Sequence, residues 1–283
     1  MRSKNNVIKL AKRDFTGGIL SQWKKFLFAA LTFAFASGVF YTLAQASAQE
    51  GNIHSTPTLL DALIYIFRGM EVYVPAPDKP FEVPAIWMLM NLFLAFIIVS
   101  YPSKDLNGYG QHMLLHARSR LQWWAGKCIW NVCCVIVFYL IGFAVILLFT
   151  VFAGGKVSFQ ASGEICQQIS QFHADNVAGS YLMRTVLVLP ILTSLALSLL
   201  QMALEFLFRP ILSYAIILTV LVASAYYCTP FLLGNESMLL RSKAAMPDGI
   251  PFSLSVVIDG AVILAAPVLG YLRFRKSDLL EKA

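Results

Sequence analysis

Six long apolar runs constrain the fold of this chain more than any other feature. A helix needs roughly 20 apolar residues to cross a bilayer core of about 30 Å, and runs near this length recur along the sequence with few charges. The predicted spans cover residues 26–46, 84–101, 128–152, 185–208, 211–231 and 251–272. The pattern predicts an all-α membrane protein with six transmembrane helices, in which residues 1–283 form a single transmembrane domain.

Composition and charge agree with this class. The chain is 58% hydrophobic and 13% charged, with a mean hydropathy of +0.68, whereas soluble domains carry about 25% charged residues. Sixteen of the 22 Lys and Arg residues fall in segments on one side of the predicted spans. The positive-inside rule therefore predicts cytosolic N and C termini. We expect a multi-pass protein of a bacterial inner or plasma membrane, whose net charge of +7 reflects topology and not nucleic-acid binding.

Residues 1–25 form a basic leader before the first span. Apolar residues alternate with lysines at helical spacing, which predicts an amphipathic helix on the cytosolic leaflet that breaks at Gly17 and Gly18. A disordered basic leader is one alternative. A signal sequence cleaved within Ala46-Ser47-Ala48 is another, because small residues at this spacing follow a basic start and an apolar run.

Two outer loops contain material for small helical elements. Leu59–Phe67 is apolar but too short to span a bilayer, so we expect a helix resting on the outer surface. The last outer loop, residues 234–250, is short and charged, and only a small closing element fits there.

The most polar and aromatic passage between two spans is residues 101–130. Residues 109–124 can form one helix, because Met113, Leu121 and Trp124 then share an apolar face. The opposite face carries His112, His116, Ser119 and Trp123. Such a helix lies flat on the cytosolic membrane surface and presents its polar face to a partner protein.

Ionisable residues inside spans are costly and frequently functional. Glu205 lies four residues before Arg209, so the two can pair along a helix and hold an inner hairpin, or can act as a gate or proton site. Asp259 lies about 12 Å inside the outer end of its span at 1.5 Å per residue, with no basic neighbour in its own helix. It must therefore face protein, water or substrate.

Catalytic and nucleotide-binding motifs are missing from the sequence. Gly126-Lys127 lacks the other residues of a Walker A motif, and no serine nucleophile signature is present. His112 and His116 have a metal-compatible spacing, but position 113 is Met where a zinc protease has Glu, which favours a solvated surface over a metal site. The five cysteines have no metal-ligand spacing, and whether Cys166 and Cys228 form a disulfide is left open.

The layout resembles the permease subunits of ABC-2-type ATP-binding-cassette exporters. The resemblance is carried by the six spans, the leader with Arg13-Asp14-Phe15, the inner passage from His116 to Lys127 and the basic tail Arg273-Phe274-Arg275-Lys276-Ser277-Asp278. In that family the helix between spans two and three is a coupling helix that docks on a separate ATPase. The resemblance implies this role for residues 109–124, with contacts to the ATPase from Tyr109, His112, His116, Arg118, Arg120 and Trp123.

The resemblance also implies the partners and the chemistry. The chain would be no enzyme and hold no cofactor, since ATP and Mg would bind to the partner ATPase. A second permease, identical or homologous, would pair with it, and Asp259, Glu205 and Arg209 would lie on the translocation path or gate. An amphipathic substrate, such as a peptide, antibiotic or drug, would move outward. The rival interpretations are a non-transporting sensor or immunity protein and, less favoured, an intramembrane enzyme that uses Asp259 or the histidines.

Overall fold

The computed structural model of the chain describes residues 13–77, 80–108, 120–173 and 177–276. The protein is mostly helical (74%), and the described residues form no strand. The helices are α1 (Trp23–Gln49), α2 (Leu59–Phe67), α3 (Ala85–Ile98), α4 (Tyr101–Leu106), α5 (Arg120–Phe152), α6 (Gly163–Ser170), α7 (Gly179–Leu207), α8 (Pro210–Tyr226) and α9 (Phe252–Lys276).

Five segments within the described residues are long and apolar enough to cross a membrane. They are Arg13–Gln49, Ala85–Leu106, Arg120–Phe152, Gly179–Leu207 and Phe252–Lys276. The predicted fifth span corresponds to α8, which is apolar but has only 17 residues. Helix α8 ends at Tyr226 because Tyr227 adopts extended backbone and Pro230, which follows shortly after, cannot continue a helix. A multi-pass helical membrane protein is thus confirmed, while the count of six spans stays a prediction.

The second span is broken near its C-terminal end. Helix α3 stops at Ile98, and Ser100 adopts a left-handed backbone conformation with a φ of 73° before α4 begins. The Lys25 ammonium group donates to the carbonyls of Phe96 and Ile97 at 3.3 and 3.2 Å. A cation stabilises the last carbonyls of a helix, which have no intrahelical partner, so the first span holds the break in place.

The predicted border between the coupling helix, which was expected to end at residue 124, and the third span, which was expected to begin at residue 128, is wrong. Residues 120–127 belong to α5, which runs without interruption for 33 residues to Phe152, a length of about 50 Å at 1.5 Å per residue. Residues 109–119 of the predicted coupling helix lie outside the described residues.

The short outer stretch Leu59–Phe67 is a helix, but it does not rest on the surface. All nine residues of α2 are buried, and α2 packs against α1, α5, α6 and α7. A capping box fixes its start: Asp61 N donates to Thr58 Oγ1 at 3.2 Å and Thr58 N donates to Asp61 Oδ2 at 3.0 Å. The surface placement was wrong because eight of the nine residues of α2 are apolar and the capping box satisfies Asp61, and such a helix belongs in a protein interior.

Helix α7 is the centre of the bundle. In its most apolar window 67% of residues are buried, against 17% for α9, and its contacts reach α2, α3, α4, α5, α8 and α9. We call the end of the bundle where α7 and α9 finish and α5 begins the termini end. The opposite end, which holds α2, α6 and the loop between α8 and α9, is the cap end.

The loop between α8 and α9 folds into the cap end through Arg241. Two 3₁₀ turns, Asn235–Ser237 and Leu239–Arg241, are buried. The Arg241 guanidinium donates to the carbonyls of Ser224, Ala225 and Tyr227 at the end of α8, and to Asn235 Oδ1. These are the carbonyls that a helix end leaves without partners. The loop is therefore a compact element packed against the end of α8, and its role in closing an exit stays a prediction.

Candidate functional site

A stripe of buried polar side chains runs along one face of α7. Ser194, Ser198, Gln201 and Glu205 are spaced i, i+4, i+7 and i+11, which places them on one helix face over about 16 Å. Thr193 lies beside Ser194, and each of the five side chains is at most 3% exposed. Polar groups inside a membrane bundle are costly and tend to mark ion or substrate paths. Of this stripe only Glu205 was predicted from the sequence, although the spacing of the other residues can be read directly from it.

The cap end of the stripe meets Asp259 of α9. Thr193 Oγ1 donates to Asp259 Oδ2 at 2.8 Å, and Asp259 is fully buried. Its other oxygen, Oδ1, accepts no hydrogen bond from any described residue. Asp259 thus faces protein, one of the three environments expected for it. Tyr139 of α5 and Glu236 of the cap loop lie within electrostatic reach of it, and neither supplies a positive charge.

Glu236 is the second buried carboxyl group at this end. It is 2% exposed, and the backbone N–H of Gly234 donates to its Oε2 at 3.0 Å. Burial, with a further contribution from the negative charge of Asp259, raises the pKa of Glu236 to about 8. A carboxyl group shifted in this way keeps its proton at neutral pH.

The middle of the stripe is tied to neighbouring helices by hydrogen bonds. Ser198 Oγ donates to Asn131 Oδ1 at 2.7 Å, and Gln201 Nε2 donates to the Ala95 carbonyl at 2.9 Å. Ser194 Oγ lies 2.8 Å from the Tyr139 hydroxyl, which donates to the Pro190 carbonyl. A cavity of about 10 Å³ opens here, with Asn91, Ser194, Ser198 and Gln201 among its lining residues.

The termini end of the stripe is Glu205, which does not pair with Arg209. Glu205 Oε1 accepts hydrogen bonds from the backbone N–H and the hydroxyl of Ser103, the former at 3.2 Å. Arg209 is exposed and follows the end of α7 at Leu207. The predicted i, i+4 pair requires both residues in one helix, and the helix ends too early for it. Glu205 instead stabilises the first turn of α4, where free N–H groups favour a carboxylate.

An ion-pair network at the termini end joins the leader to α4 and α5. Lys127 Nζ lies 2.8 Å from Asp14 Oδ1 and 2.7 Å from Asp105 Oδ2, and Arg13 Nη2 lies 2.9 Å from the same two atoms. The Tyr101 hydroxyl donates to Asp14 at 3.2 Å. Lys127 and Asp14 are almost completely buried. The described end of the leader is therefore tied to the bundle at Asp14, because a buried carboxylate needs a counter-charge. Its placement on the cytosolic leaflet stays a prediction.

Only two of the predicted coupling residues can be placed. Tyr109, His112, His116 and Arg118 lie outside the described residues.

Arg120 donates to the carbonyls of Phe274 and Arg275 at 3.4 and 2.6 Å, at the end of α9. Trp123 is 1% exposed and stacks on Phe274 with ring centroids 5.0 Å apart. The predicted surface position of Trp123 was wrong, because α5 turns this residue into the aromatic core between α7 and α9.

The neighbouring Trp124 shows how closely α9 approaches α5. Its Nε1 donates to the Pro267 carbonyl at 2.9 Å. A Cβ atom on Gly270 would lie only 2.5 Å from the Trp124 ring. Glycine at a helix crossing permits such an approach, so the start of α5 and the end of α9 form one packed unit.

The cap end contains further polar contacts and two clefts. Cys166 Sγ lies 3.5 Å from Asp61 Oδ1, and neither Cys166 nor Cys228 forms a disulfide within the described residues. The larger cleft has a volume of about 450 Å³, with Glu71, Phe172 and His173 among its lining residues, and the smaller one about 210 Å³. The larger volume is in the range of small-molecule sites.

Comparison with known proteins gives one match. No curated protein and no solved structure is similar to the chain. A family model described as "Protein of unknown function (DUF2705)" matches residues 79–280, from the approach to α3 through the end of α9 and beyond. This match includes the whole polar stripe, Asp259, and Arg241 with its hydrogen-bond acceptors Ser224, Ala225, Tyr227 and Asn235. Because the match covers more than half of the chain, the protein belongs to the DUF2705 family.

Proposed function

We propose that this chain is the transmembrane permease subunit of an ATP-driven exporter. It moves an amphipathic substrate outward with energy from a separate ABC ATPase, which binds ATP and Mg. In this proposal α8 is the fifth of six spans, both termini are cytosolic, and the termini end faces the cytosol of a bacterial cell. The resemblance to ABC-2 permeases motivates the proposal, and the positive-inside rule sets its orientation.

The observation that carries it is the anchoring of the two helices that flank residues 109–119. On one side, Asp105 of α4 is paired with Arg13 and Lys127. On the other side, Arg120 binds the end of α9 and begins a helix that runs to Phe152. A displacement applied between α4 and α5 would therefore reach α1, α5 and α9 through packed, charged contacts.

The mechanism is a two-state switch driven by the partner. Closure of the ATPase dimer would push the coupling segment, and rigid helices would carry the shift along the bundle. Helix α5 would transmit the displacement over the longest distance, because it is continuous across the membrane. Helix α7 would respond near its C-terminal end and at its middle, since Glu205 holds α4 and Thr193 holds α9 through Asp259.

The exposed side of α9 supports a place for the second permease. Its apolar residues Val257, Leu264 and Leu269 are 66%, 74% and 64% exposed. Such a face meets either lipid or another helix in a membrane. A paired permease on α9 would put the partner copy next to Asp259's helix, close to the polar stripe.

The test is a pull-down of the tagged full-length chain from its native membrane, with mass spectrometry and an ATPase assay. We expect a co-purifying protein with a Walker A motif and ATPase activity that survives mild detergent. Recovery of the chain alone from such membranes would contradict the proposal.

One substitution sharpens this test. Arg120→Glu should reduce the amount of recovered ATPase several-fold, because it reverses the charge next to the docking segment and releases the end of α9. The matched control is Lys24→Glu, a charge reversal at an exposed residue of α1 at the same end. Equal ATPase recovery with both variants would remove Arg120 from the contact.

A second candidate is a non-transporting sensor or immunity protein that binds a ligand at the cap end. The cleft of about 450 Å³ favours it, because a sensor needs a site on the face opposite the termini. In that case the chain would purify without an ATPase, and a ligand bound at this cleft would protect the cap loop from proteolysis.

A further inference from the structure

We infer that the polar stripe of α7 is a proton path, entered at Asp259 and continued through Tyr139, Ser194 and a water molecule beside Gln201. This property goes beyond export driven by ATP, and it belongs to the chain alone. Its ligand is the proton, and its carriers are hydroxyl groups, a carboxyl group and water.

The entry is built from Asp259 and its surroundings. Thr193 from α7 donates to Asp259, and Tyr139 from α5 and Glu236 from the cap loop interact with it electrostatically. Among the described residues Asp259 forms no ion pair, and its Oδ1 has no hydrogen-bond donor. A carboxylate buried without a cation is very costly, whereas a carboxyl group that has bound a proton is neutral and can donate through that oxygen.

The next proton carriers, Tyr139 and Ser194, are hydrogen-bonded to each other. The Tyr139 hydroxyl contacts the Ser194 hydroxyl at 2.8 Å and the Pro190 carbonyl at 2.8 Å. The Tyr139 hydroxyl has one hydrogen, which it donates in the hydrogen bond to the Pro190 carbonyl. In the contact between the two hydroxyl groups, Ser194 is therefore the donor and Tyr139 the acceptor. Turning both hydroxyl groups reverses the direction of the chain without moving the backbone.

The cavity below Ser194 fits one water molecule. Its volume of about 10 Å³ is close to the minimum that one water occupies, and a water also needs two to four polar partners. Ser194, Ser198 and Gln201 supply them, and Gln201 Oε1 is a fully buried acceptor to which no described residue donates. A buried amide oxygen without a donor is destabilising, so a water that donates to Gln201 Oε1 satisfies it. Glu205 follows one helical turn later as the group nearest the termini end.

Each step is a proton transfer in which one O–H bond forms and one breaks. The Asp259 carboxyl group gives its proton to the next oxygen, and that oxygen passes on its own proton, so no electron is transferred and no co-reactant is needed. A metal ion fits less well, because in the described ranges no three His, Cys, Asp or Glu side chains are grouped as ligands.

The experiment uses the purified full-length chain in phosphatidylcholine vesicles that contain a pH-sensitive dye and potassium. Valinomycin sets an inside-negative potential, and the rate of internal acidification is recorded. We expect wild type to acidify the vesicles several-fold faster than protein-free vesicles do. Asp259→Asn should return the rate to the protein-free level, and so should Gln201→Leu, which removes the amide oxygen that binds the water molecule.

The matched control is Ser37→Ala, which removes a fully buried hydroxyl group of α1 and should keep the wild-type rate. Infrared spectroscopy gives a second readout: a protonated-carboxyl band in wild type that is lost in Asp259→Asn. If Asp259→Asn does not fold, Thr193→Val tests the same entry by removing the hydroxyl that orients Asp259.

Three results would overturn the inference. They are a wild-type rate equal to that of protein-free vesicles, a wild-type rate in both Asp259→Asn and Gln201→Leu, and acidification that requires sodium ions. The vesicles contain no ATPase, so these results do not bear on ATPase binding. Conversely, failure to recover an ATPase from native membranes would leave the proton path untouched.

Discussion

The termini end and the cap end of the bundle bury charged groups in different ways. At the termini end, Lys127 and Arg13 meet Asp14 and Asp105 directly, at 2.7 to 2.9 Å. At the cap end, the buried Arg241 meets neutral carbonyls and one amide oxygen. The buried carboxyl groups of that end are not paired with it.

The difference shows which end is fixed and which end can change its charge. Opposite charges in contact hold each other ionised, because separating them would leave a bare charge in a low-dielectric interior. Among the described residues, Glu236 and Asp259 interact only with each other and with neutral groups, so protonation is their route to neutrality. The ion pairs at the termini end therefore hold the leader in place. At the cap end, the carboxyl groups of Glu236 and Asp259 can gain or lose a proton as the pH changes.

The largest expected effect comes from removing the central cation of the ion pairs at the termini end. Lys127→Met should lower the free energy of unfolding by about 3–5 kcal/mol, because Asp14 is left buried without its closest cation. Unfolding by SDS titration in detergent micelles measures it. The double variant Lys127→Met with Asp14→Asn should recover part of the loss, and an undiminished loss would mean that the lysine acts through packing alone.

A smaller effect is expected at the cap. Arg241→Gln should cost about 2 kcal/mol, since it removes hydrogen bonds to the end of α8 but leaves no acidic partner behind. The same SDS titration measures it, together with proteolysis of the loop between α8 and α9. A loss as large as that of Lys127→Met would erase the distinction between the two ends.

The third expected effect is a change in the pH dependence of stability, which is small over any one unit of pH. The pKa of Glu236 is raised from 4.5 to about 8 by burial, so its contribution to stability is complete below 4.5 and is lost as the pH rises through 8. The difference in unfolding free energy between wild type and Glu236→Gln should fall across this window, by at most about 1.4 kcal/mol per pH unit for one proton. Thermal unfolding from pH 4 to pH 9 in detergent would follow it.

Glu164 provides the control for this pH dependence. Its carboxylate is exposed at the cap end and accepts hydrogen bonds from the backbone of His54 and Ser55, which lower its pKa. Its contribution is present above the ordinary pKa and is lost as the pH falls through the lowered value. Glu164→Gln should therefore leave the window between 4.5 and 8 unchanged, and a parallel slope in both variants would assign the effect to another group.

Much of the fold could be predicted, but less of the candidate site. Leu59–Phe67 was found with its correct bounds, because a run of apolar residues is a local signal. Its burial was not predicted, since local sequence does not show how far a loop folds back into a bundle. Asp259 was singled out as a lone charge in an apolar run. Its partner Thr193 is 66 residues away, beyond any sequence period.

The sequence by itself determined that this is a helical membrane protein, which stretches are apolar enough to span, and which polar residues share a face of α7. These properties follow from hydropathy and from the 3.6-residue period, which need only neighbours along the chain. Only the tertiary structure decided that Asp14 pairs with Lys127 from 113 positions away, that Glu205 turns to Ser103 and not to Arg209, and that Trp123 is core. A buried charged or polar group needs a partner within about 3 Å. Which residue lies at that distance depends on how all the helices of the bundle pack together.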